Sequence, residues 1–121
     1  MSITLRPIRA EEFEAFFRAN NLAFGRAPTP ETIEIWRPVC DFARSLAAFD
    51  GDQIVGTAGA FSFTLTVPGS TVAPAAGVSW VAVVPTHRRQ GILRALMQQQ
   101  LRDVRERGEP LAVLLAAESS I

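Results

Sequence analysis

The stretch "VAVVPTHRRQGILRALM" (Val81–Met97) decides the fold. It opens as an apolar, β-branched run of the kind that favours a strand. Pro85 ends the run, because proline has no N–H to give to a ladder. His87, Arg88 and Arg89 follow, then Gly91, then a helical pattern that predicts a helix to about Arg107. The basic turn therefore sits at a helix start, where unpaired N–H groups and the helix dipole favour a phosphate. Gly91 lets backbone approach a ligand closely, and the arginines add fork-shaped donors. Leu93, Leu96, Met97, Gln100, Leu101 and Val104 are expected on the inward side of the helix, with Arg94, Gln98, Arg102 and Arg105 mainly opposite.

Two familiar phosphate motifs are excluded. A mononucleotide P-loop needs G-x-x-x-x-G-K-[ST], and a dinucleotide fingerprint needs G-x-G-x-x-G. The chain has neither glycine spacing, and all 12 of its basic residues are arginine. A strand, a basic turn with one glycine and a helix remain, an arrangement suited to a pyrophosphate.

Upstream, "ITLRPI" (Ile3–Ile8) alternates as a half-buried strand does. Phe13, Phe16, Phe17, Asn20 and Phe24 fall on one helical face, with Glu11 and Glu12 suited to the positive end of its dipole. Thr29 and Pro30 read as the cap and first position of a short helix reaching about Trp36. Asp50-Gly51 between apolar runs signals a hairpin, and "PGS" (Pro68–Ser70) marks a second turn. Downstream, "RGEP" (Arg107–Pro110) closes the long helix. "LAVLLAA" (Leu111–Ala117) then has the continuous apolar character of a strand buried on both faces. Strand, helix, helix, three strands, helix and strand make an α/β layer with a mixed sheet and flanking helices. A central strand so close to Ile121 suggests a domain incomplete at the C-terminus.

A chain of 121 residues suffices for one domain. A formal net charge of zero gives no general argument for nucleic acid or an anionic membrane. The long helix and its turn gather basic groups, as a nucleic-acid binder would, but Asp103 and Glu106 interrupt them. One cysteine, Cys40, excludes an internal disulfide framework, and with one histidine it makes a four-ligand zinc site unexpected. No metal is expected. "MSITLRPIRAEEF" lacks the order of a signal peptide, and no apolar run approaches the ~18 residues of a membrane span. The expected location is cytoplasmic.

Arg88-Arg89-Gln90-Gly91-Ile92-Leu93 resembles the acetyl-CoA motif of the GNAT acetyltransferases: Gln or Arg, two residues, Gly, one residue, then Gly or Ala. Leu93 departs from the final small residue. That departure, with "LTVPG", "AGVSWVAVVPTHRRQGILRALM" and "AAESSI", is similar to the N-terminal domain of the Eis (enhanced intracellular survival) family, over almost the whole chain.

The resemblance implies a GNAT fold, with residues 1–121 forming the first part of the domain and later strands and further domains absent. It implies acetyl-CoA as co-substrate and acetyl transfer to a primary amine, of an aminoglycoside or another amine such as a protein lysine. By position, the backbone of Val81, Ala82 and Val83 would pair with the pantetheine arm, and a bulge is expected near Val81–Val84. Arg89, Gln90, Gly91, Ile92, Leu93 and Arg94 would hold the pyrophosphate. Ala117 and Glu118 would make further cofactor contacts, and Phe24 and Trp36 would wall the acceptor pocket, with core packing the rival for Trp36. His87 has a turn or surface role, Arg88 points to solvent, Trp80 is core and Cys40 is an unreactive buried residue. Arg26 departs from the acidic surroundings expected of a cationic acceptor's site. The family takes its acid from a Tyr after "ES-x-I" and its base from a distant C-terminal carboxylate, so no catalytic residue is assigned here; the chain contains no Tyr. The last strand is expected to drive homo-oligomerisation. The rival reading is a non-catalytic CoA- or phosphate-binding or assembly module.

Overall fold

The computed structural model describes residues 2–114. Five strands form one sheet in sequence order: β1 (Ile3–Pro7), β2 (Leu46–Asp50), β3 (Gln53–Val67), β4 (Thr71–Val83) and β5 (Leu111–Leu114). The first three pairings are antiparallel and β4–β5 is parallel. A parallel neighbour needs a crossover, and α3 (Ile92–Glu106) supplies it. α1 (Phe13–Ala23) and α2 (Pro30–Trp36) lie between β1 and β2 in the chain. No helix among the described residues is long and apolar enough to cross a membrane.

The turns form for the expected reasons. Asp50 pairs with Gln53 across the β2–β3 turn, where Gly51 has φ +62°. Gly69 and Ser70 take positive φ between β3 and β4. Thr29 caps α2 by accepting from the Thr32 N–H at 3.2 Å, with Pro30 at the first position.

Successive strand residues point to opposite faces, and two of them locate the helices. A Cβ on Gly56 would lie 3.0 Å from Ile92 and Leu96 of α3. The next side chain, Thr57, meets Asn20 of α1. α1 and α3 therefore cover opposite faces of the sheet. Phe13, Phe16, Phe17 and Asn20 are buried as their spacing predicts, whereas Phe24, just past the end of α1, is exposed.

Two expectations are corrected. The buried row of α3 is Ile92, Leu96, Gln100 and Val104. Leu93 and Leu101 are about half exposed and Met97 is intermediate. The row follows an i, i+4 ridge that settles over Gly56, which rotates Leu93 and Leu101 outward. β5 is not buried on both faces: Ala112, Val113 and Leu114 are exposed. Residues 115–117 of the expected strand fall outside the described residues.

A buried ion pair ties the chain's two halves together. Arg44, just before β2, forks onto Glu109, just before β5, at 2.7 and 2.9 Å, and also donates to Ser62 at 2.8 Å. Both charged side chains are almost fully buried. Cys40 is buried and shares a 3.2 Å contact with the Ser45 hydroxyl; burial pushes its thiol up from the ordinary value, which makes it less reactive.

Candidate functional site

The site is built where β4 loses its regular pairing. Thr57 pairs with Ala82, but Gly59 pairs with Ser79. Two β4 residues, Trp80 and Val81, thus face the single residue Ala58. This is a β-bulge, and Trp80 takes φ +51° in it, a costly conformation for a large side chain. The bulge begins one residue before the predicted segment.

Neighbouring side chains stabilise that strain. The Trp80 indole packs against Phe13, Phe16, Phe17, Trp36 and Phe61, with ring centroids 5.2–6.2 Å apart. Four of the five are tilted edge-to-face at more than 70°, a favourable geometry for aromatic quadrupoles. The Thr57 hydroxyl donates to the Trp80 carbonyl, which the bulge removes from the ladder. Gly59 makes room for the indole: a Cβ there would sit 3.3 Å from Trp80 Cε3.

From Val81 in the bulge, β4 continues through Ala82 and Val83, which are again paired to β3. β5 pairs with β4 from Ala75 to Val78 within the described residues. A one-turn 3₁₀ helix, Pro85–His87, leads into the basic turn. Arg89 has φ +64° and Gly91 φ +79°, so the chain reverses sharply twice. Gly91 then serves as the N-cap of α3, with no side chain capping the helix. The first N–H groups of α3 have no partner one turn back. Arg89, Gln90, Leu93 and Arg94 are exposed beside them, while Ile92 is buried beneath α3. The structure thus brings Arg89, Gln90, Gly91, Leu93 and Arg94 to one surface; Ile92 can offer only its backbone.

The other predicted residues divide. Trp36 is 41% exposed and packs edge-to-face on Trp80, so it is joined to the bulge yet open on one side. Phe24 is exposed at the end of α1, with the Arg26 guanidinium 5.9 Å from its ring centroid. Ala117 and Glu118 lie outside the described residues. His87 belongs to the turn, as expected, and is anchored there: Nε2 contacts Asp50 Oδ2 at 2.9 Å and Nδ1 contacts Thr86 Oγ1 at 2.8 Å.

Arg88 does not simply point to solvent. Its Nη2 donates to the Ala23 carbonyl at 2.9 Å and its Nε to the Val83 carbonyl at 3.3 Å. The exposed ends of α1 and β4 leave both carbonyls available. Sequence reasoning missed this contact and the Thr57–Trp80 bond. Both join residues far apart in the chain, and no local pattern announces either.

A mixed sheet that bulges beside an uncapped helix start, with exposed basic side chains on the turn between, marks the class of α/β domain to which the chain belongs. A family model described as an acetyltransferase (GNAT) domain matches residues 4–121, and the chain belongs to that family. An uncharacterized N-acetyltransferase from Streptomyces avermitilis is 46% identical over the whole chain, which spans 30% of that relative. The N-acetyltransferase Eis of Mycobacterium tuberculosis is 35% identical, again over the whole chain and 31% of the relative. The crystal structure of Eis1 from Mycobacterium abscessus superposes with a TM-score of 0.86 and 34% identity, over 99% of this chain and 29% of that one. The chain thus spans about 30% of the length of the relatives it matches. The mixed five-stranded sheet with flanking helices is the GNAT fold.

Proposed function

We propose that this chain is the first part of an Eis-like N-acetyltransferase domain, which binds acetyl-CoA and passes its acetyl group to a primary amine. The observation that carries the reading is the uncapped start of α3 beside the β4 bulge, with Arg89 and Arg94 exposed on the same turn. The N–H groups there and the two guanidiniums suit a pyrophosphate. The backbone of Val81–Val83 suits the amide-bearing pantetheine arm, as an added strand suits a sheet edge. Ala117 and Glu118 extend the cofactor contacts.

The transfer has three requirements. A neutral amine attacks the thioester carbonyl, and its proton passes to a base. Backbone N–H groups at the bulge stabilise the oxyanion. The C–N bond then forms, the C–S bond breaks, and the thiolate takes a proton from an acid. The tyrosine used by the family has no counterpart in these 121 residues, so the chain supplies the cofactor half of this chemistry. Phe24 and Trp36 wall the acceptor side, for an aminoglycoside or another amine. The protein works in the cytoplasm, and the exposed apolar face of β5 supports homo-oligomers.

Calorimetric titration with CoA tests the reading. Saturable one-to-one binding that falls with salt supports it; no binding overturns it. A second reading is a non-catalytic CoA-binding or assembly module. Acetyl transfer to an aminoglycoside or lysine peptide separates the two.

A further inference from the structure

We propose that Arg88 is a positioning residue that ties the phosphate turn to the end of α1, so that occupancy of the turn is felt at Phe24. The proposal rests on the cofactor reading above. Arg88 and Arg89 are adjacent, yet they part company at the positive φ of Arg89. Both side chains are exposed, and no hydrogen bond to another described residue is made by Arg89. Arg88 turns back and holds two carbonyls, Val83 O at the end of β4 and Ala23 O at the end of α1. A guanidinium at a helix C-terminus meets the negative end of its dipole. Its fork can serve two acceptors at once, as an ammonium cannot in the same way.

The other end of the link is held by local backbone bonds. After Ala23 the α1 terminus is closed by three bonds, from the N–H groups of Phe24, Gly25 and Arg26 to the carbonyls of Asn21 and Leu22. The residues that follow, up to Ala27, are exposed. On the far side of the turn, His87 is anchored to Asp50 in the β2–β3 turn. The turn is thus braced from two directions, and only the Arg88 brace reaches the acceptor side. A ligand that immobilises the turn also immobilises the guanidinium that caps α1. Arg88 keeps its carbonyl partners when phosphate binds and is not itself a phosphate ligand.

Amide hydrogen exchange at Phe24, Gly25 and Arg26 tests this, with CoA as the ligand. Without ligand, Arg88→Ala should speed exchange at the three amides by roughly tenfold, the worth of one charge-assisted hydrogen bond. CoA should slow exchange there in the wild type and not in Arg88→Ala, while Arg88→Lys keeps part of the response. CoA affinity should fall by less than about fivefold in Arg88→Ala and by more than tenfold in Arg89→Ala. Unchanged ligand-free exchange in Arg88→Ala overturns the tether. Equal CoA protection in Arg88→Ala and wild type overturns the transmission. Loss of affinity matching that of Arg89→Ala makes Arg88 a phosphate ligand and also overturns the proposal. Failure of the wild type to bind CoA strikes the cofactor reading and the transmission together, while ligand-free exchange still decides the tether.

Discussion

Thr57 donates its hydroxyl to the carbonyl of Trp80 at 2.7 Å, from the strand facing the bulge. Thr57 is fully buried, and its oxygen also receives the Asn20 amide at 3.4 Å. The hydroxyl thus joins α1, β3 and the bulge of β4. Thr57→Val keeps the shape and removes the hydroxyl, leaving a buried carbonyl without its donor. We expect a loss of about 1–3 kcal/mol in urea unfolding. Thr57→Ser retains the bond and should bind CoA like the wild type, whereas Thr57→Val should bind more weakly. Equal stability of Thr57→Val and wild type would sink this account of the bulge.

Gly91 sets the second prediction. Its φ of +79° favours glycine, and no heavy atom lies within 4 Å of where a Cβ would be built. Gly91→Ala therefore meets backbone strain without a clash and should lower stability by about 1–2 kcal/mol. Gly91→Asp adds a negative charge where the pyrophosphate is expected, and calorimetry should show CoA binding abolished. Unchanged affinity would move the phosphate site elsewhere.

Gly56 and Gly77 offer a contrast within one sheet. A Cβ at Gly56 meets Ile92 and Leu96 at 3.0 Å, beneath the centre of α3. A Cβ at Gly77 comes nearer still to Phe63, at 2.7 Å, but that ring is 37% exposed and can swing aside. Gly56→Ala should cost about 1–3 kcal/mol by overpacking, and Gly77→Ala less. The reverse order in denaturant midpoints would show that α3 moves more readily than Phe63.

Glu12 links stability to acid pH. The Arg6 guanidinium forks onto its carboxylate at 2.7 and 2.8 Å, and the Arg9 N–H adds a bond at 2.8 Å. The Arg6 bond, helped by the Arg9 N–H and the nearby charges, holds the Glu12 carboxyl well below the usual range, at about 2. A folded-state value below the unfolded one stabilises the fold above the unfolded value. That contribution is lost as pH falls from about 4.5 toward about 2. Glu12→Gln should be less stable at neutral pH and should flatten this part of the stability profile. Parallel profiles for the two proteins would contradict it.

The Arg44–Glu109 pair predicts a larger effect. Removing Glu109 as Glu109→Ala strands a buried guanidinium and should cost about 3–5 kcal/mol. Arg44→Met combined with Glu109→Leu removes both charges and should recover much of that loss. If the double variant is no more stable than Glu109→Ala, stranded charge is not the cause.

Much of this architecture is legible in the sequence because its signals are local. Asp50-Gly51 and Pro68–Ser70 announce turns, and Thr29-Pro30 announces the start of α2. The basic turn before α3 is legible for the same reason: Pro85 and Gly91 bracket it. The bulge is different. Nothing in "GVSWVAVV" distinguishes a slipped strand from a regular one, so its expectation came from family resemblance. The facing choice of α3 depends on Gly56, thirty-six residues away from Ile92, and helical periodicity alone therefore puts Leu93 and Leu101 inward. Arg88 is the clearest case: a triplet of basic residues reads as one patch until the left-handed turn at Arg89 separates its members.

The bulge also sets a phase. Side chains alternate along β4, and by the count from Val78 the indole of Trp80 would emerge on the α3 side. The extra residue reverses the count, and Trp80 joins Ala82 on the face of Thr57, among the rings of α1. The length of this segment, rather than its composition alone, therefore carries information. Deleting Val81 alone would leave Trp80 in the chain, set it opposite Ala58 in a regular ladder, and so send the largest side chain of the site to the wrong layer.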